Sequence, residues 1–147
     1  MVLYATLKMS IFTMLRLSKL ADYATVIMSY LAEYPDEITS ATSIAKEVHL
    51  SVHTVSKILK ILLDANLIRA FRGAEGGYQL AKSPEKITLA EVISAIEGNF
   101  ALTECSLKSK LCSLDTKCSM KKNWKSINQI IFKTLNNVTL KDMLEGV

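Results

Sequence analysis

A mainly α-helical fold is what this sequence predicts: a winged helix-turn-helix with a small β-hairpin wing, followed by a long C-terminal helix. Three observations carry that expectation. Apolar residues recur at three- and four-residue steps along most of the chain, the spacing of a buried helical face. Only two prolines and five glycines punctuate 147 residues, so little interrupts those helices. The strand-like runs follow directly on two helical segments, which is the order of a helix-turn-helix with a wing.

In the first helix Leu17, Leu20, Ala21, Ala24, Ile27, Met28 and Leu31 form the apolar face, Ser18 is the N-cap and Pro35 the stop. "TSATSIAKEV" predicts a short second helix capped by Thr39 or Ser40, with His49 and Leu50 as the turn after it. Ser51 caps a third helix whose stripe is Val52, Val55, Ile58, Leu59, Leu62 and Leu63, and Asn66, which tolerates the left-handed conformation, stops it. The opposite face of that helix carries His53, Thr54, Ser56, Lys57 and Lys60. With Ser51 these are short polar donors near the helix start followed by two cations, the make-up of a helix that enters a DNA major groove. "LIRAFR" and "GYQLAK", joined by "GAEG", predict the hairpin. Arg69, Arg72 and Lys82 give it positive charge, and Arg72 beside Gly73 is placed to enter a minor groove.

Beyond Pro84, Thr88 and Glu91 spell a capping box for a helix through Ile96 that Gly98 ends. From Met120 to Leu135 a last long helix shows a seam of Met120, Trp124, Ile127, Ile131 and Leu135, at steps of four, three, four and four, a narrow stripe that suits packing on the domain's own core and is also the pattern of a helix that pairs with a second copy. Thr139 with Asp142 caps a short closing helix. The chain thus divides into an N-terminal extension at 1–13, expected to be disordered, and a winged-helix DNA-binding domain at 14–98. A cysteine cluster-binding loop at 99–121 follows, then a dimerisation helix and C-terminal helix at 122–147.

Half of the residues are apolar, ample for a buried core, and the formal charge of +4 permits nucleic-acid binding without demanding it. The opening "MVLYATLKMSIFT" falls short of the roughly 20 apolar residues a membrane span needs, and it lacks a basic leader and a small-residue cleavage site. Three cysteines cannot form a closed intrachain disulfide set. A cytoplasmic protein with reduced thiols and no membrane partner is expected. No acid–base pair, activated nucleophile or phosphate loop stands beside the cysteines, so an enzyme is not expected.

All three cysteines, Cys105, Cys112 and Cys118, lie in "ECSLKSKLCSLDTKCSM", a segment poor in large apolar groups and therefore a poor place for core thiols. Zinc sites usually draw on close cysteine pairs and four Cys or His ligands, and neither the pair nor a nearby His is here. A disulfide switch joining Cys105 to Cys112 or Cys118 is a second reading. An iron-sulfur cluster fits better, because it is broader than one ion, accepts widely spaced thiolates and takes a non-Cys ligand. Lys108, Lys110, Lys117, Lys121 and Lys122 surround the thiols with positive charge that suits an anionic cluster.

These residues resemble the Rrf-two family of winged-helix transcription regulators, the group containing the iron-sulfur cluster regulator IscR and the nitric-oxide-sensitive repressor NsrR. The matching stretches are "LRLSKLADYA", "RGAEGGYQLA", "ITLAEVISAIEG" and the three-cysteine loop, and they run from Met14 nearly to the end. The tail "NWKSINQIIFKTLNNVTLKDML" looks especially like the subgroup that regulates the SUF system for iron-sulfur assembly. The resemblance implies a homodimer joined through the long helix and bound to a pseudo-palindromic double-stranded DNA operator. It also implies cluster ligation by Cys105, Cys112 and Cys118, with 2Fe-2S preferred and 4Fe-4S the alternative.

For the fourth ligand, the position three beyond the last cysteine, a His in members resembling IscR, is Lys121 here, and a cation cannot serve. Members resembling NsrR use an Asp of the first helix from the other subunit, which matches Asp22; Glu104, abutting Cys105, is a second candidate. The leading expectation is a cluster-sensing repressor of SUF-type assembly genes. A nitric-oxide or redox-sensing repressor of the same family is the alternative, and an iron-sulfur carrier or electron-transfer protein the reading from another class.

Overall fold

The computed structural model describes residues 16–103, 106, 113 and 117–147. The expected extension at 1–13, and Glu104, Cys105 and Cys112, lie outside the described residues. Helices run α1 Lys19–Glu33, α2 Ala41–Glu47, α3 Val52–Asp64, α4 Leu89–Glu97, α5 Lys121–Asn137 and α6 Leu140–Glu145; the strands β1 Ile68–Phe71 and β2 Gly77–Leu80 lie between α3 and α4.

Local chemistry sets the helix starts. Ser18, Ser40 and Ser51 each have extended backbone and accept an N–H from the residue three positions on, which satisfies donors the helix itself leaves unpaired. Ser40, rather than Thr39, is the cap of α2. Thr88 and Glu91 close a capping box on α4, and Thr139 and Asp142 close one on α6. The backbone N–H and hydroxyl of Thr139 hold the Asp142 carboxyl below its ordinary range. At the other ends, His49 turns the chain out of α2 and Asn66 out of α3, both in the left-handed region at φ of 54° and 57°.

The core lies where α1, α3 and α4 meet, with Ile27, Met28, Leu31, Ile44, Ile58, Leu59, Leu62 and Val92 sealed from solvent. Burying each such side chain contributes roughly 1.5–3 kcal/mol.

Two links were not foreseen from periodicity. Thr39 bridges β2 before α2 begins: its N–H donates to the Tyr78 carbonyl at 3.0 Å and its carbonyl accepts from the Tyr78 N–H at 2.8 Å. The wing is thereby fastened to the helix-turn-helix. Thr88 and Thr139 form a second bridge, with Leu89 N–H to Val138 O at 2.8 Å and Leu140 N–H to Ile87 O at 3.0 Å. That bridge returns α6 to the body, where Leu140 is 0% exposed and α6 packs on α1. Although α6 follows the long helix in sequence, its apolar side completes the first core.

The long helix behaves differently. None of its residues is buried, and it meets the body chiefly through α4. Its seam splits in two: Ile131 and Leu135 are half-buried beside Ile93, while Met120, Trp124 and Ile127 stay 51%, 40% and 40% exposed. Ile130 and Phe132 add further exposed apolar surface beside that seam.

Candidate nucleic-acid interface and cysteine site

Helix α3 buries Val55, Ile58, Leu59 and Leu62, so geometry turns its other side outward. His53, Ser56, Lys57 and Lys60 are all exposed there, at steps of three, one and three that keep them on a single stripe. Neither lysine is paired with a carboxylate among the described residues. Ser51 and Thr54 are committed to the helix start: the Ser51 hydroxyl accepts the Thr54 N–H at 3.1 Å and shares a hydrogen bond with the Thr54 hydroxyl at 2.8 Å. They position the stripe more than they extend it. Lys46, exposed in the last turn of α2, is a cation that sequence reasoning passed over.

On the wing, β1 and β2 pair antiparallel with Phe71 opposite Gly77, and Arg72 is exposed at the tip. Gly73 turns the tip at φ 115°, a conformation open to glycine, and its carbonyl accepts the Gly76 N–H at 3.1 Å to close the loop. Lys82 is engaged with Glu91 at 3.3 Å, so of the three expected wing cations Arg69 and Arg72 are the ones without a carboxylate partner. Arg72→Ala is expected to weaken binding to a specific duplex about tenfold and to lower the slope of log affinity against log salt by about one. A fluorescence-anisotropy titration over a salt series measures both, and unchanged affinity would remove Arg72 from the interface.

Cys118, a free and half-exposed thiol, is the cysteine the structure describes. It lies two residues before Met120, the N-cap of α5, and its carbonyl accepts the Lys121 N–H at 3.4 Å. At the other end of the segment a turn forms, with the Ser106 N–H donating to the Thr103 carbonyl at 3.0 Å and their hydroxyls 3.1 Å apart. Just before it, Asn128 of α5 grips the backbone: its Oδ1 accepts the Leu102 N–H at 3.1 Å and its Nδ2 donates to the Phe100 carbonyl at 3.0 Å.

Asp22 is exposed in the first turn of α1, and its carboxylate has no hydrogen bond or ion pair among the described residues. The Ser18 N–H, one turn earlier, donates to Glu97 Oε1 at 3.1 Å. This bond sets the start of α1 beside the end of α4, where the cysteine segment departs. Among the described residues no group of three or more His, Cys, Asp or Glu side chains is arranged so that it could hold a metal ion; Cys105, Cys112 and Glu104 fall outside that set. No helix among the described residues is long and apolar enough to cross a membrane.

Residues 17–146 match the family Rrf2, described as "Iron-dependent Transcriptional regulator". The chain is 30% identical over 132 residues to the HTH-type transcriptional regulator NsrR of Halalkalibacterium halodurans, covering 88% of this chain and 90% of that protein. Two solved structures share the architecture. CymR, the global cysteine regulator of B. subtilis, superposes with a TM-score of 0.74 at 29% identity, covering 91% of this chain and 99% of that one. IscR of T. potens superposes with a TM-score of 0.69 at 30% identity, covering 89% and 87%. The helix pair, the charged wing and the match along nearly the whole chain agree: the chain belongs to the Rrf2 family of winged-helix, DNA-binding transcriptional regulators, which are not enzymes.

Proposed function

We propose that this chain is a cytoplasmic, homodimeric repressor of SUF-type iron-sulfur assembly genes whose DNA binding responds to an iron-sulfur cluster. The observation that carries the reading is Cys118, a free thiol at the root of a helix that leaves an apolar seam uncovered. A ligand at that root and a partner along that seam would act on one rigid element. The donor chemistry fits: Cys105, Cys112 and Cys118 supply three soft thiolates, and Asp22 offers a carboxylate with no other engagement. Glu104, next to Cys105, is the other candidate for the fourth position. A bound cluster, 2Fe-2S or 4Fe-4S, supplies a crosslink that depends on iron supply and redox state.

The rest is done by the chain. Trp124, Ile127 and their counterparts on a second copy would pair the long helices and set two reading heads on successive major grooves, about 34 Å apart or a multiple of it. Lys57, Lys60, Arg69 and Arg72 neutralise phosphates and read grooves; His53 and Ser56 offer hydrogen bonds to base edges. Binding that weakens steeply with salt separates this reading from an iron-sulfur carrier.

Anaerobic purification with iron and sulfide counted per dimer, beside sedimentation and duplex binding with and without cluster, tests the proposal. A colourless, iron-free protein that binds its duplex unchanged would overturn it. Asp22→Ala is expected to shorten cluster lifetime in air by about tenfold or more while leaving the dimer intact; a wild-type lifetime would pass the role to Glu104. Similarity to NsrR favours a second reading with the same ligands, a nitric-oxide or redox sensor. Loss of operator binding on nitric-oxide titration, with indifference to iron limitation, would select it.

A further inference from the structure

We propose that Val52 reads a thymine in the operator, through an apolar contact between its two methyl groups and the thymine C5-methyl in the major groove, an inference that rests on the reading of α3 as the helix entering that groove. Periodicity places Val52 at the head of the apolar stripe of α3, ahead of Val55, Ile58, Leu59 and Leu62. Those four are sealed in the core, yet Val52 is 45% exposed. The core does not reach it. Leu50, half-buried in the turn just before α3, packs against the core cluster, and Val55 continues that seal from within the helix. Val52, the first residue of α3, stands outside the closure.

Position and chemistry together select the ligand. The N-terminal residues of a recognition helix are the ones that meet base edges. Ser56, four positions on and therefore beside Val52 on the helix surface, is exposed as well, and no acidic residue stands in the first turn of α3 to repel DNA. Of the polar groups at this end, His53 is exposed, while the Ser51 and Thr54 hydroxyls are spent on each other at 2.8 Å. Val52 has neither donor nor acceptor. Among the groups that a major groove displays it can recognise one, the thymine C5-methyl, which marks T·A apart from C·G and fixes which strand carries the thymine. Any other base edge set against Val52 would leave polar atoms stripped of water with no hydrogen bond in return.

The test uses full-length protein purified anaerobically and a duplex that the wild type selects from a random-sequence pool. Each thymine of that duplex is replaced in turn by uracil, which removes the C5-methyl and leaves the hydrogen-bonding edge unchanged. Wild type is expected to lose about fourfold in affinity at one such position, the worth of one methyl-sized group taken out of water. Val52→Ala is expected to bind the thymine and uracil forms within about 1.5-fold of each other there, and Val52→Ile, which keeps the apolar surface, to retain a loss of about threefold or more. Both variants should melt within about 3 °C of wild type, as replacements outside the core do. Uracil sensitivity that is the same in Val52→Ala as in wild type, or absent from wild type at every thymine, overturns the inference. Lys57→Ala checks the reading beneath it. Unchanged affinity in that variant takes α3 out of the groove altogether, whereas a loss there with no thymine coupled to Val52 overturns this inference alone.

Discussion

Cys118→Ala is expected to abolish the visible absorbance of anaerobically purified protein and to leave operator affinity indifferent to iron supply. Three thiolates carry most of the bonding to the cluster, and water is a poor substitute for any of them, so loss of one is close to all-or-none. The fold should not notice. Cys118 is half-exposed and outside the core, and surface replacements of this kind usually change stability by no more than about 0.5 kcal/mol. Circular dichroism and the melting temperature of the cluster-free form should therefore match wild type, which separates loss of a ligand from loss of structure. Cys105→Ala and Cys112→Ala should give the same spectrum. An unchanged absorbance in all three variants would dismiss the ligand assignment.

Gly77→Ala should damage the reading head without touching the cluster. A methyl group at Gly77 would lie 2.5 Å from both the carbonyl carbon and oxygen of Thr39 and 2.8 Å from the Ser40 nitrogen. All of these are backbone atoms at the start of α2, and none can swing aside. Relief requires the paired hydrogen bonds between Thr39 and Tyr78 to open, at about 1 kcal/mol each on top of about 1–3 kcal/mol of overpacking. The expected total is about 3 kcal/mol or more, a fall in melting temperature of roughly 10 °C for a chain of this size. Gly73→Ala is the useful contrast. Its methyl would meet nothing within 4 Å, although the φ of 115° still strains an alanine. It should cost about 1–2 kcal/mol and act mainly on the wing tip. Equal melting temperatures for Gly77→Ala and wild type would show that the wing is not fastened through Thr39.

The helices were legible because their signals are local. Ser18, Ser51, the Thr88–Glu91 box, Asn66 and Gly98 all act within a few residues, and each stands where periodicity and cap chemistry placed it. The exposure of the polar stripe of α3 was legible for the same reason, since the opposite face of that helix must be buried. The links between elements were not. Nothing in the spacing of Thr39 and Tyr78, or of Thr88 and Thr139, marks them as bridge partners, because backbone hydrogen bonds carry no side-chain signature. Asn128 was silent as well: a lone amide on the polar flank of an amphipathic helix looks like any solvated residue until the backbone it grips is seen. Lys82 was read as a wing cation, and only the position of Glu91 shows that it is engaged.

The return of α6 to the body has a consequence for how the chain matures. Leu140 fills the core shared by α1 and α3, yet it is synthesised after the cysteine segment and after α5. A nascent chain that stops in either region lacks the side chain that closes the reading head, and the contact it needs spans more than a hundred residues. Truncated products are thus expected to compete poorly for DNA: the order of translation ensures that a chain with a closed reading head already contains the cysteine segment and the long helix.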